Sequence, residues 1–219
     1  MSRWAPNARE RLEDAALDLF AENGYEQTTV AQIADRAGLN RATFFRHFAD
    51  KREILFASQE LLAGLVAGGI RDAAPGATLA ECLQAALTAA GTLMTGEQRR
   101  KAAQRRAVAA ASTEVQERGL LKQRAIVQAM TAALRERGTD DLTARLGADI
   151  ALLAFGIALE RWTASDDAGP FAPHAAAALD DLRTRVAELG SRGTQHAPDP
   201  ASSPGGVAQT ALARFPEPT

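Results

Sequence analysis

The chain has 219 residues, 46% of them hydrophobic, 24% charged and only 5% aromatic, which bounds it to one domain of ordinary size or a small module joined to a larger one. With 25 Lys and Arg against 27 Asp and Glu, the overall charge by itself points to no nucleic-acid partner, and the alanine-rich, aromatic-poor mixture suits packed helices better than sheets. Cys82 is the only cysteine, which excludes an intrachain disulfide and a cysteine-based zinc site and fits a reducing cytoplasm.

Residues 1–7 read as a frayed arm. Leu12, Ala16, Leu19 and Phe20 then recur at helical spacing until Asn23-Gly24 stops the helix. Its acidic residues, Glu10, Glu13, Asp14, Asp18 and Glu22, are expected to face outward, which makes it a supporting helix. The first 25 residues carry charges of both signs and no apolar signal core, and the longest uncharged apolar run, Ile150 to Leu159, is too short for a bilayer. A cytoplasmic protein without a membrane partner is expected.

A second helix starts behind Thr29, whose spacing from Gln32 is that of a capping box, and turns Val30, Ile33, Ala34 and Ala37 inward. Gly38 supplies a left-handed turn, Leu39 plugs the corner, and Asn40 caps a third helix from Arg41 to about Phe48. Two helices meeting across Ala37 to Asn40 are the mark of a helix-turn-helix. Phe44 and Phe48 fall on the core side, leaving Arg41, Thr43, Arg46 and His47 outside. Charge is concentrated here: Arg36, Arg41, Arg46, Lys51 and Arg52 stand against Asp50 alone. A basic, exposed second helix in this setting is what reading a DNA major groove requires. Asp50 and Glu53 have capping-box spacing and start a fourth helix at Lys51.

The stretch GYEQTTVAQIADRAGLNRATFFRHFADKREIL resembles the DNA-binding signature of the TetR-type bacterial transcriptional repressors, with the capping Thr, Ile-Ala, Ala-Gly, Thr-Phe-Phe and His-Phe-x-x-Lys at family spacing. The resemblance covers roughly the first 56 residues. It implies a three-helix DNA-binding domain, a helical domain that binds ligand and dimerises, and repression relieved by a small molecule.

The fourth helix should run from Lys51 into the low seventies, where Pro75-Gly76 ends it. A fifth carries Leu79, Leu83, Leu87, Leu93 and Met94 and closes at Gly96. Next comes a basic run, Arg99, Arg100, Lys101, Arg105 and Arg106, read chiefly as a solvated face paired with Glu114, Glu117 or the acids of the first helix; one arginine turned inward would anchor a ligand carboxylate through its fork. A helix from about Thr113 to Arg137 is broken by Gly138-Thr139. The following segment carries Leu142, Leu146, Ile150, Leu153, Ile157 and Trp162 on one face and Leu152, Phe155, Gly156 and Leu159 on another, so it should be buried on more than one side. After a turn over residues 166–173, a last helix has Ala175, Leu179, Leu182, Val186 and Leu189 in register. From Gly190 the chain holds five of its nine prolines and four glycines, the composition of a disordered tail.

The expected fold is therefore all-α: a helix-turn-helix domain over residues 1–50, a six-helix ligand-binding and dimerisation domain over 51–190, and a disordered tail over 191–219. On double-stranded DNA, Arg41 and Arg46 can reach base edges and Ala42 or Thr43 a thymine methyl. The resemblance implies phosphate contacts from Thr29, Thr43, His47 and Lys51. Phe45 stands where the family usually has Tyr, so stacking or sugar contact replaces a hydroxyl. Arg3 and Arg9 are within possible reach of phosphate, although a supporting role suits their helix better. A hydrophobic or amphipathic small-molecule effector is expected among helices four to eight, against Phe56, Leu62, Leu87, Met94, Met130 and Phe155. Homodimerisation is expected through residues about 141–163 and 174–189. No cofactor or metal is implied. Catalysis finds little support, with only His47, His174 and His196, no nucleophile elbow, and Asp166-Asp167 alone in a turn. The other reading is a ligand-binding or scaffold protein whose helix-turn-helix no longer binds DNA.

Overall fold

The computed structural model describes residues 7–165 and 169–191, and every regular element among them is helical. Arg3, Asp166-Asp167 and the 192–219 part of the expected tail lie outside the described residues. The chain up to Arg183 forms one compact unit. The residues from Thr184 form a second, whose described part is helical and exposes Val186 and Leu189.

Three short helices open the fold: α1 (Ala8–Asn23), α2 (Val30–Arg36) and α3 (Arg41–His47). Their ends are set by local chemistry. Gly24, at φ +81°, ends α1 while its amide still bonds Phe20 O at 3.0 Å. Thr29 and Gln32 complete the capping box, with Thr29 N donating to Gln32 Oε1 at 2.8 Å and Gln32 N to Thr29 Oγ1 at 3.3 Å. Asn40 Oδ1 accepts from Thr43 N at 2.8 Å and starts α3. These helices are too short to stand alone; Leu12, Leu17, Phe20, Ile33, Phe44 and Phe48 bury their shared face.

The single fourth helix expected from the periodicity is interrupted. It becomes α4 (Lys51–Leu55) and α5 (Gln59–Arg71), joined by a tight turn in which Phe56, Ala57 and Gln59 amides each bond the carbonyl three residues back. The reason is packing: Ile54, Leu55 and Phe56 belong to the N-terminal hydrophobic cluster, while Leu62, Val66 and Ile70 belong to a second. Counted as one kinked helix, the two give the expected three-plus-six arrangement. Asp50 caps α4, accepting from Arg52 N and Glu53 N, but the expected capping box is not completed, because Glu53 turns its carboxylate to Arg118 and to Lys122 Nζ, the latter at 3.1 Å.

The second cluster is built by α5, α6 (Leu79–Gly91), α8 (Thr113–Glu136), α9 (Asp141–Ala164) and α10 (Phe171–Ser191). Helix α5 approaches α6 so closely that a Cβ on Gly69 would lie 2.6 Å from Ala85 O, so only glycine permits this crossing. Gly96 does not close the fifth helix. Chain reversal comes earlier, after Gly91, and Gly96 is the first residue of α7 (Gly96–Ala111), capped by Thr95.

The basic run on α7 pairs with the acids of α1, as expected, and Arg100 and Arg106 keep much of their surface in solvent while Lys101 and Arg105 do not. Lys101 is 1% exposed and bonds Asp14 at 2.7 Å and Glu97 at 3.0 Å; Arg100 faces Asp18, Arg105 faces Glu13 and Arg106 faces Glu160. Arg99 donates to Trp162 O at 2.8 Å. On the acidic face of α1 expected to meet solvent, Glu13 is buried, Asp14 and Asp18 are partly covered by α7, and Glu22 stays exposed and pairs with Arg36 of α2; Glu114 pairs with Arg52 instead.

Helix α9 also buries a different face from the one expected. Ala144, Gly147, Ala148, Ala151, Ala154 and Ala158 are buried with Trp162, because small side chains let neighbouring helices approach, while Leu142, Leu146 and Leu153 remain exposed. By length and composition alone α9 and the Lys51–Arg71 stretch could each cross a membrane, a match the uncharged run Ile150 to Leu159 did not reveal.

Candidate nucleic-acid interface and apolar cavity

The positive charge gathered around α3 is redistributed by folding. Arg36 forms a two-bond pair with Glu22 at 2.7 and 3.0 Å and holds that carboxyl below the usual carboxylate range. Arg52 is taken by Asp50 at 2.6 Å and Glu114 at 2.9 Å. Lys51 spends its ammonium on the α1–α2 loop, donating to Tyr25 O at 2.7 Å and Thr28 O at 3.2 Å and lying 4.2 Å from the Tyr25 ring centre. As a phosphate contact it therefore offers charge, its hydrogen bonds being already directed to these carbonyls. Arg9 donates to Ala57 O at 2.8 Å and lies over the Phe48 ring, tying the start of α1 to the α4–α5 turn.

What remains free is narrower than the basic cluster. Arg41 and Arg46 are exposed on α3 and have no carboxylate partner among the described residues. Thr43, expected on the outside, is only 8% exposed; its Oγ1 accepts from Arg46 Nη2 at 2.9 Å, so it aligns an arginine before it can touch a base or phosphate. Ala42 is exposed and His47 half-buried. Phe45 is 52% exposed, edge-on to the buried Phe44 at 5.3 Å, an apolar surface set between the two arginines. Thr29 lies exposed at the start of α2, its hydroxyl occupied by Gln32. The two phenylalanines assigned to the core, Phe44 and Phe48, are buried.

A cavity of about 690 Å³ opens between the α4–α5 turn, α7, α8 and α9. Phe56, Leu62, Met94 and Phe155 line it, with Leu61 and Leu120 also on its wall. Leu87 and Met130, expected beside them, do not: they are 1% and 2% exposed within the helical core, where facing helices leave no free space. Residues missed by sequence reasoning include the polar ones, Ser58, Gln59, Gln98, Arg105, Arg106, Gln116 and Gln123. For Arg105 a signal existed in the basic run of α7, but nothing in that run tells which of its side chains turns inward.

Residues 12–58 match the family model of the bacterial regulatory proteins of the tetR family. Over 46 residues the chain is 52% identical to the HTH-type transcriptional regulator TcmR of Streptomyces glaucescens, a match covering 21% of this chain and 20% of that protein. Over 51 residues it is 37% identical to the HTH-type transcriptional repressor AcnR of Corynebacterium efficiens, covering 23% and 27% respectively. The chain therefore spans about a fifth to a quarter of the length of these curated relatives. Among solved structures, it resembles a TetR-family transcriptional regulator from Syntrophomonas wolfei with a TM-score of 0.60 at 17% identity, over 83% of this chain and 95% of that one. FadR of Bacillus subtilis, solved in complex with stearoyl-CoA, gives a TM-score of 0.54 at 21% identity, over 79% and 96%. At these identities the likeness establishes the shared fold.

Proposed function

We propose that this chain, whose N-terminal helix-turn-helix domain belongs to the tetR family of bacterial regulatory proteins, is a ligand-responsive transcriptional repressor. It binds a pseudo-palindromic operator as a homodimer in the cytoplasm and is released by a small hydrophobic or amphipathic effector; its role is binding, not catalysis. The observation that carries this reading is the sorting of charge around α3: Arg36 and Arg52 are neutralised by carboxylates, whereas Arg41 and Arg46 stay exposed and, among the described residues, unpaired by acids.

In this reading the Arg41 and Arg46 forks address base edges, guanine O6 and N7 being the best geometric match, and Ala42 and Phe45 supply apolar contact to a thymine methyl or a sugar. Thr29, His47 and the charge of Lys51 face phosphates. Thr43 presents Arg46. One helix of this length reads only a few base pairs, so two copies are needed, with recognition helices about 34–36 Å apart. The exposed Leu142, Leu146 and Leu153 on α9 support homodimerisation, since an apolar stripe on a long helix calls for a partner helix. The partner surface is residues about 141–163 and 174–189. The cavity of about 690 Å³ is of the size that holds small molecules, and its position beside the α4–α5 turn supports a ligand-driven change in head spacing.

Selection of genomic fragments by the purified chain tests the reading. Enrichment of a pseudo-palindromic site is expected, with affinity falling steeply as salt rises and falling by tenfold or more, on the order of one lost base contact, in the Arg41→Ala, Arg46→Ala double variant. No enriched fragment would favour a ligand-binding protein that has lost DNA recognition.

A further inference from the structure

The cavity wall is apolar except for a small polar set, and that set has one sign. Arg105 and Arg106 line it, and among the described residues no Asp or Glu does. Arg106 is bound at its outer edge by Glu160 at 3.2 Å. Arg105 is the inward one, with a side chain 19% exposed. Burial pushes its guanidinium down to about 10, so it stays charged at neutral pH. Its carboxylate partner is Glu13 of α1, 11% exposed. Glu13 Oε1 takes Arg105 Nη2, while Gln59 Oε1 on the same cavity wall is buried without a hydrogen bond. A guanidinium has five N–H donors in a planar fork that fits a carboxylate, so Arg105 has capacity left on the cavity side.

We propose that Arg105 anchors the anionic head of an amphipathic carboxylate whose apolar body lies against Phe56, Leu62, Met94 and Phe155, and that the ligand takes the guanidinium from Glu13. The inference rests on the effector-cavity reading above and adds to it the ligand's charge and the route of the signal. Exchange leaves Glu13 buried and unpaired, which a folded protein tolerates poorly. Helix α1 relieves this by shifting against α7, to which Lys101–Asp14 at 2.7 Å, Arg100–Asp18 at 3.5 Å, Gln104–Asp18 at 3.4 Å and the packing of Val108 still tie it. Because α1 shares the buried cluster with α2 and α3, its movement carries the recognition helix. A carboxylate then binds the displaced arrangement better than the one held by Glu13, and the two equilibria are linked.

Equilibrium dialysis of the full chain against radiolabelled decanoate or 1-decanol tests this without any variant. Decanoate is expected to bind at least about tenfold more tightly than the alcohol, the difference a charged hydrogen-bonded pair makes. Arg105→Met should bring decanoate down to the level at which the same variant binds the alcohol. Glu13→Gln removes the internal competitor and should raise the preference for decanoate over the alcohol several-fold; helical circular dichroism checks that both variants fold. Equal binding of acid and alcohol would overturn the anionic anchor while leaving the cavity a ligand site. Binding of neither would overturn the effector reading along with it. A preference for decanoate that Glu13→Gln fails to strengthen would overturn the exchange.

Discussion

Glu53 shows how a single residue can do work its spacing does not announce. Its carboxylate lies between Arg118 and Lys122 of α8, tying the short helix α4 to the long helix of the body. Burial pushes this carboxyl up, but the hydrogen bonds from Arg118 and Lys122 outweigh that and hold it below its ordinary value of 4.5. A carboxyl depressed in the folded state stabilises above its unfolded pKa, and the contribution is lost as pH falls through the folded one. Glu53→Gln should therefore cost about 1–2 kcal/mol at neutral pH, measured by urea denaturation. The difference from wild type should shrink once pH drops below 4.5. A difference that persists unchanged at acid pH would mean that the charge is not what holds the two helices. Arg9 and Lys51 follow the same pattern, basic side chains whose first partners are carbonyls of the head itself.

At the level of elements, the helix-turn-helix depends on one backbone conformation. Gly38 has φ +63°, and a Cβ there would lie 2.8 Å from Arg11 Nη2; Arg11 donates to Ala37 O across the same turn. The side chain of Arg11 can move, so the main penalty of Gly38→Ala is the left-handed backbone, roughly 1–2 kcal/mol. A lowered melting temperature with retained helicity is expected, and operator affinity should fall as well because the angle between α2 and α3 is set at this turn. Undiminished operator binding in that variant would separate the turn from the reading of DNA. The break between α4 and α5 has a different origin. No residue there forbids helix, yet Phe56 is drawn into one cluster and Leu62 into the other, and a straight helix does not serve both.

For the whole molecule, the compact unit leaves an apolar stripe of α9 uncovered. Leu142, Leu146 and Leu153 are 77%, 56% and 54% exposed along α9. Leu146→Glu with Leu153→Glu should yield a monomer by sedimentation at micromolar concentration, with little loss of helicity and a large loss of operator affinity. A dimer that survives both charges would place the interface elsewhere. The sequence alone determined the helical class, the caps at Thr29 and Asn40, the left-handed Gly38 and the core roles of Phe44 and Phe48, because each follows from interactions within a few residues. It also picked out Arg41 and Arg46, whose exposure follows from the helical period, and Phe56, Leu62, Met94 and Phe155, large apolar groups on the cavity wall, of which Phe56 and Met94 fall in the connections between helices. Tertiary structure decided the rest. Which of five arginines and lysines near α3 stay free, that Thr43 is nearly buried beneath Arg46, that Leu87 and Met130 fill the core, and that Arg105 faces Glu13 all depend on partners from 2 to 92 positions away in the chain. Charge pairing and close packing are set by distance in space, and periodicity along one helix carries no information about which side chain of another helix will arrive opposite.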